Sequence, residues 1–159
     1  MKKQILTFLL IGVVALGVCG CSNTQQTATE KKPEQQEVIK TNPVVTADLK
    51  FANGLESILN SGYSIVDKTK VYYTKSADFQ EVYFLGTLVK KGTQYYNAVW
   101  ATNNIESFGM GLVFSMNDNA IQSSGMGDGR TNREPLSETD DGYSRINQKV
   151  LDDMSEAVK

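Results

Sequence analysis

The spacing of apolar residues predicts a helix near each end of the region that follows residue 46. A first helix is expected over about residues 47–61, and a second over about residues 142–157, because apolar residues recur there at the spacing of one helix face. The first set is Phe51, Leu55, Ile58 and Leu59, and the second is Ile146, Val150, Leu151, Met154 and Val158. Thr46 is placed to cap the first helix and Gly62 to end it.

Between these helices the pattern changes to runs that are typical of strands. Four segments are rich in β-branched and aromatic residues: 70–74, 80–90, 94–102 and 110–116. The short connection around Gly92 predicts an antiparallel hairpin between the second and third runs. The second run carries large apolar groups on both faces, so helices or a folded-over sheet should cover much of it.

These elements predict an α+β fold with an N-terminal helix, an antiparallel meander of four to five strands and a C-terminal helix. A calycin-like small barrel is the alternative, but four or five strands are too few to close one comfortably. Residues 47–159 therefore form a single α+β domain in this interpretation.

The polar, glycine-containing segment 117–142 is predicted to be a long loop, with room for a short edge strand at 120–123. Two pairs of adjacent acids, Asp140-Asp141 and Asp152-Asp153, are expected to be solvated at the start and on the face of the second helix. Asp152, Asp153 and Glu156 oppose the dipole at its carboxyl end, which predicts fraying of the last turn.

Upstream of this domain lies a segment with the features of a bacterial signal peptide. Lys2 and Lys3 precede an apolar run over residues 5–18, which is shorter than a bilayer-spanning helix and is followed by polar sequence. The run closes with Leu16-Gly17-Val18-Cys19-Gly20-Cys21-Ser22, which resembles a lipobox. Cys21 is preferred to Cys19 as the lipidated residue because a small residue precedes it; an ordinary secretory signal with incidental cysteines is the alternative.

In this interpretation residues 1–20 are removed and acyl chains on Cys21 hold the chain at the extracytoplasmic face of the cell membrane. Residues 22–46 lack aromatic side chains and are rich in polar ones, so residues 21–46 are predicted to be a lipidated cysteine followed by a disordered tether. A coil of that length reaches about 25 to 30 Å.

Charge and composition argue against several classes of function. The loss of Lys2 and Lys3 takes the formal charge from -2 to about −4, which gives no reason to bind nucleic acid. The chain has no histidine, the commonest general base and zinc ligand, and a lipidated Cys21 offers no thiol. We therefore predict no enzyme activity, no catalytic residue, no metal and no cofactor.

Candidate binding residues are aromatic or polar groups on the predicted strands and in the glycine-containing loop. They are Tyr95, Trp100, Asn103, Asp128 and Arg130. A competing interpretation places the aromatic residues in the core, where strands usually carry large apolar groups. The segment 126–130 lacks the lysine of a phosphate loop and the alternating acids of an EF-hand, so it is predicted to be a flexible turn.

Several short motifs carry a resemblance to a known group of proteins. They are the lipobox at Cys21, the segments 72–76, 79 and 82–84, and the runs Val99-Trp100-Ala101-Thr102-Asn103 and Gly111-Leu112-Val113-Phe114-Ser115. Over about residues 65–130 the chain resembles small, poorly characterised lipoproteins of Gram-positive bacteria, often associated with prophages or other mobile elements, although residues 119–128 depart from that pattern. The resemblance implies an anchored surface protein without known catalysis and, for phage-linked members, a part in superinfection exclusion.

The sequence thus favours a non-enzymatic, lipid-anchored binding module that contacts a protein at the cell envelope through its sheet face or its glycine-containing loop. The alternative is a small-ligand carrier or an enzyme that acts on wall components through carboxylates and tyrosines.

Overall fold

A computed structural model describes residues 41–106 and 111–159. The predicted signal peptide, Cys21 and residues 22–40 of the predicted tether lie outside the described residues, as does Met110 of the fourth predicted strand. The described residues have the predicted α+β architecture, in which an antiparallel sheet carries helices on both faces. Among them, no helix combines the length and the apolar run that crossing a bilayer requires.

In the described residues, six strands form one open sheet. They are β1 (Val45–Thr46), β2 (Tyr63–Ile65), β3 (Tyr72–Lys75), β4 (Tyr83–Lys91), β5 (Gln94–Thr102) and β6 (Val113–Ser115). The order is β1-β3-β4-β5-β6, with β2 paired to β4, and these strands pair with one another in antiparallel fashion. The sheet is not closed, so the barrel alternative is wrong.

The hairpin of β4 and β5 is the centre of the sheet and confirms the predicted connection. Its register runs from Tyr83 opposite Thr102 to Lys91 opposite Gln94, and Gly92 in the turn has a φ of 61°, which glycine adopts without strain. Adding β3 on one side and β6 on the other completes the predicted meander.

Two short strands were not predicted. β2 pairs with the far end of β4, on the same edge as β3. β1 pairs with β3 and lies within residues 22–46, so the predicted tether is wrong for its last residues. Strands of two and three residues are too short to show the alternation on which strand prediction relies.

Helix α1 spans Leu49–Ser57, within the predicted range 47–61. Its cap is Asp48, whose Oδ1 accepts a hydrogen bond from the Phe51 amide at 2.7 Å; Thr46, the predicted cap, is part of β1. The C-terminal helix, which we number α3, spans Asp141–Ala157 and matches the prediction closely.

The predicted long loop over residues 117–142 contains a helix, and the edge strand expected at 120–123 is wrong. Helix α2 spans Asp118–Ser124 and is followed by a turn of 3-10 helix over Gly129–Thr131. The Asn117 side chain caps α2 by accepting the Ala120 amide at 2.9 Å, and Gly125 ends it with a φ of 65°. Seven residues are too few to show a helical period in sequence.

The helices bury both faces of the sheet, as the apolar pattern predicted. Leu85, Val89 and Trp100 pack with residues of α1 and α2 on one face. On the other face, Phe84, Leu88 and Val99 pack against Tyr143, Ile146 and Val150 of α3. No sheet face built from these residues is left open for a partner.

Two acids that were predicted to be solvated are buried. Asp153 accepts hydrogen bonds from the Tyr72 hydroxyl at 2.8 Å and from Lys149 Nζ at 3.1 Å, and Lys70 Nζ lies 3.3 Å away. Burial would raise its pKa, but these partners outweigh burial and lower it below the ordinary value. The second buried acid is Asp140, whose side chain caps the N-terminus of α3. The prediction failed because most of the hydrogen-bond donors come from residues distant in sequence, and the residues next to a carboxylate do not reveal them.

Candidate functional site

The five candidate binding residues do not converge on one site. Trp100 is fully buried, and its indole Nε1 donates to Ser124 Oγ at 2.9 Å, so it is a core residue and not a contact for a partner. Tyr95 is half-buried on the opposite face, beside α3. Asn103 is exposed after β5, and its Oδ1 accepts the Leu112 amide at 2.9 Å. Only Asp128 and Arg130 lie together.

Arg130, which Asp128 binds, lines an open concavity of about 440 Å³, which we call the polar recess. Its lining comes from β5, α2, α3 and the segments beside them. The lining residues are Asn97, Asn117, Asp118, Asn119, Arg130, Glu138, Tyr143 and Asn147. Asp128 stands behind Arg130.

Arg130 is held in place by three carboxylates. Its Nε and Nη2 donate to the two oxygens of Asp128 at 2.8 and 2.9 Å, which is a bidentate pair. Nη2 also donates to Asp118 Oδ1 at 2.8 Å, and Nη1 donates to Glu138 Oε1 at 2.9 Å. The hydrogen bond from Arg130 lowers the pKa of Asp128, so the carboxylate is ionised at neutral pH. The guanidinium is therefore fixed, and the group of four carries a net negative charge.

Asparagine side chains form the wall opposite Arg130. Asn97 Nδ2 donates to Asn147 Oδ1 at 2.8 Å, and Asn119 Nδ2 donates to Asn97 Oδ1 at 2.8 Å. Asn117 Nδ2 donates to the Asn97 carbonyl at 3.0 Å. These bonds join β5, α2 and α3, so the wall is part of the folded scaffold.

Tyr143 lies in the floor of the polar recess. Its side chain is 7% exposed, and its ring meets Phe84 edge-on with the centroids 5.9 Å apart. The hydroxyl has no hydrogen-bond partner among residues 41–106 and 111–159, and it is not sealed from solvent. Burial, together with the charge of Glu138, raises the pKa of Tyr143 to about 12. The group is thus a neutral phenol that can both donate and accept.

A second concavity, which we call the apolar groove, has a volume of about 170 Å³ and lies near the end of β5. Its lining is mainly apolar and includes several polar residues. The lining residues are Phe79, Val82, Ala101, Thr102, Asn103, Leu112, Phe114, Asn132, Glu134 and Leu136. Leu112 is 62% exposed. The candidate Asn103 belongs to this groove and not to the polar recess.

The sequence analysis missed most of the polar recess. One signal was available: Asn97 is a polar residue on a face of β5 that is otherwise Tyr95, Val99 and Ala101. A polar group among apolar neighbours on one strand face indicates a polar partner across from it. Nothing comparable pointed to Tyr143 or Asn147, because both also fit the pattern of an ordinary amphipathic helix.

Neither a family model, nor a curated protein, nor a solved structure matches this chain. Within the part of the chain that the structure describes, no three acidic or cysteine side chains converge to hold a metal ion. A third concavity, of about 220 Å³, is lined by residues that include Lys70, Leu88 and Asp153.

Proposed function

We propose that the protein is a non-enzymatic binding module, anchored by lipid on Cys21 at the extracytoplasmic face of the cell membrane, that contacts a protein of the cell envelope. The observation that supports a protein partner is the apolar groove, whose lining includes the exposed Leu112. A leucine exposed at the edge of an apolar concavity loses unfavourable contact with water when a partner covers it.

The groove has the anatomy of a small protein interface. Val82, Phe114 and Leu136 provide apolar lining, while Asn103, Asn132 and Glu134 provide polar groups around it. Protein interfaces commonly combine an apolar centre that takes one anchoring side chain with a polar, solvated rim. The volume of about 170 Å³ suits one large side chain rather than a whole cofactor.

The charge at the groove narrows the partner further. Glu134 is exposed and is the one charged side chain among the groove-lining residues that the structure describes. A partner segment that places an apolar side chain in the groove and a lysine or arginine beside it would be complementary in both shape and charge. Leu136 and Glu134 come from the segment 117–142, whereas Phe114 belongs to β6, so the glycine-containing region and the sheet both contribute to this surface.

The anchor is supported by the signal-like segment and the lipobox at Cys21. Metabolic labelling with palmitate tests it: wild-type protein is expected to incorporate label and stay with the membrane. Cys21→Ala is expected to lose the label and to be released or left unprocessed. Retention of Cys21→Ala on cells at the wild-type level, without label, would contradict the anchor and leave the groove unaffected.

The groove is tested with a photo-crosslinking amino acid placed at position 112 in living cells. Position 49 is the matched control, since Leu49 is 57% exposed but lies on α1. We expect one envelope protein to be crosslinked from 112 and not from 49. The purified envelope protein should bind the wild-type protein more tightly than it binds the Glu134→Lys variant. Equal crosslinking from both positions, or equal binding by Glu134→Lys, would refute the proposal.

The resemblance to prophage-associated lipoproteins adds a biological outcome to this proposal. If the partner is part of the route by which phage DNA enters, expression of the protein should lower phage DNA injection while adsorption stays unchanged. Leu112→Ser should abolish that protection. Protection that persists in Leu112→Ser would separate phage exclusion from the groove.

A further inference from the structure

We infer that the polar recess is a second binding site and that its ligand is an uncharged saccharide. This inference concerns a different surface from the apolar groove and does not depend on the protein partner proposed above. It is carried by the Tyr143 hydroxyl, by the unused hydrogen-bonding atoms around it and by the charge of the lining.

The Tyr143 hydroxyl is the first indication of a ligand. Buried tyrosines usually place the hydroxyl against a partner, because a polar group removed from water without one costs free energy. Here the Tyr143 ring is buried and the residue lines the recess, while the hydroxyl stays in contact with solvent and has no protein partner in the described chain. The open position beside it is suited to a ligand hydroxyl.

The surrounding side chains each keep a hydrogen-bonding atom for a ligand. Asn147 uses its Oδ1 within the wall but not its Nδ2, and Asn119 uses its Nδ2 but not its Oδ1. Glu138 gives one carboxylate oxygen to Arg130 and keeps the other. The recess therefore presents donors and acceptors close together. A hydroxyl both donates and accepts, so a polyhydroxylated ring can satisfy such a mixed set, whereas a ligand with acceptors alone cannot.

The recess is ordered before any ligand arrives. Asn117 is fixed because it caps α2, and Arg130 is fixed because two of its nitrogens donate to Asp128. The Tyr143 ring is fixed by its contact with Phe84. Binding then costs little additional side-chain entropy, which matters for a ligand that gains mainly hydrogen bonds.

Charge selects against ionic ligands. Three carboxylates, those of Asp118, Asp128 and Glu138, face a single guanidinium, so a phosphate or a uronic acid would be repelled. Arg130 occupies both oxygens of Asp128 and one oxygen each of Asp118 and Glu138, and the described residues contain no group of three acidic side chains that could hold a metal ion. An uncharged saccharide meets neither obstacle.

The test uses saturation-transfer NMR on the full-length protein purified from membranes into lipid nanodiscs. The probes are oligomers of glucose, of N-acetylglucosamine and of glucuronic acid. We expect at least one neutral oligomer to receive saturation and the uronate oligomer to receive none. Tyr143→Phe keeps the ring and removes the hydroxyl, so it should weaken binding about three- to tenfold, the loss expected for one hydrogen bond.

Two further variants keep the result interpretable. Tyr95→Phe is the matched control, since Tyr95 is a half-buried tyrosine that packs on the same side of the sheet as Tyr143 but does not line the recess, and its binding should equal wild type. Asn147→Asp keeps the Oδ1 that accepts from Asn97 and removes the unused Nδ2 donor, so it should weaken binding while changing the melting temperature little. The inference is overturned if no neutral oligomer binds, if the uronate competes equally, or if Tyr143→Phe binds as wild type does. Because crosslinking from position 112 should be unchanged in Tyr143→Phe, failure here is distinct from failure of the groove.

Discussion

Replacing Asp140 with asparagine changes one atom of a buried carboxylate that holds two parts of the fold together. Asp140 is 1% exposed and lies at the start of α3. Its oxygens accept from Ser76 Oγ at 2.5 Å and from the backbone amides of Ala77, Asp78 and Gly142 at 3.1, 3.2 and 2.7 Å. The carboxylate thus ties the turn after β3 to the first turn of the C-terminal helix.

The expected cost follows from these four bonds. Burial would raise the pKa of Asp140, but the Ser76 hydroxyl and the backbone amides outweigh it and hold the pKa below its ordinary value. In Asp140→Asn the charge is lost and the new amide group faces backbone donors that it cannot accept from. A hydrogen bond to a charged group contributes about 1.5 to 3 kcal/mol, and the remaining carbonyl of asparagine keeps part of the four bonds. We therefore expect the free energy of unfolding to fall by about 2 to 4 kcal/mol.

Urea denaturation at neutral pH measures this loss. The matched control is Asp141→Asn, which removes the same charge one residue later, where the nearest cation is Arg145 at 3.9 Å on a half-exposed pair. The control should change the free energy of unfolding by less than about 0.5 kcal/mol. Equal m-values for the three proteins would show that the unfolded states are comparable.

The pH dependence gives a second measurement with a defined sign. A carboxyl whose folded-state pKa is lowered stabilises the fold above its unfolded pKa of about 3.9, and that stabilisation is lost as pH falls through the folded value. The difference between Asp141→Asn and Asp140→Asn should therefore be constant near neutral pH and shrink below about pH 4. If the two variants are equally stable at pH 7, or if the gap widens in acid, the assignment of Asp140 as a structural clamp is wrong.

Three more predictions concern packing and helix ends. Gly86→Ala should lower the free energy of unfolding by about 1 to 3 kcal/mol, because a methyl there runs into side chains of α3, while Gly127→Ala, with space around it, should be nearly neutral in the same thermal melt. Ser124→Ala leaves the buried indole N–H of Trp100 without its partner and should cost about 1 to 3 kcal/mol, with a change in tryptophan fluorescence at native conditions. Amide exchange in residues 155–157 should be faster than in the strands, since the acidic end of α3 opposes the helix dipole; equally slow exchange would refute the fraying.

The arrangement of large elements followed from the sequence alone. Runs rich in β-branched and aromatic residues specified β3, β4 and β5, because such side chains favour strands. Apolar groups on both faces of β4 required a cover on each side. The helical spacing of Ile146, Val150 and Met154 specified α3 for the same kind of reason. Such patterns depend only on residues that are close in sequence, so the sequence alone is enough to recognise them.

Tertiary structure decided everything that depends on residues distant in sequence. Asp140 and Asp153 look like ordinary surface acids until the turn after β3 and Tyr72 bring donors to them. Trp100 looks like a contact residue until α2 covers it. The polar recess joins residues of β5, the α2 region and α3 that lie up to 50 positions apart, as Asn97 and Asn147 do. Periodicity reports which face a residue occupies, whereas only the folded chain determines what that face meets.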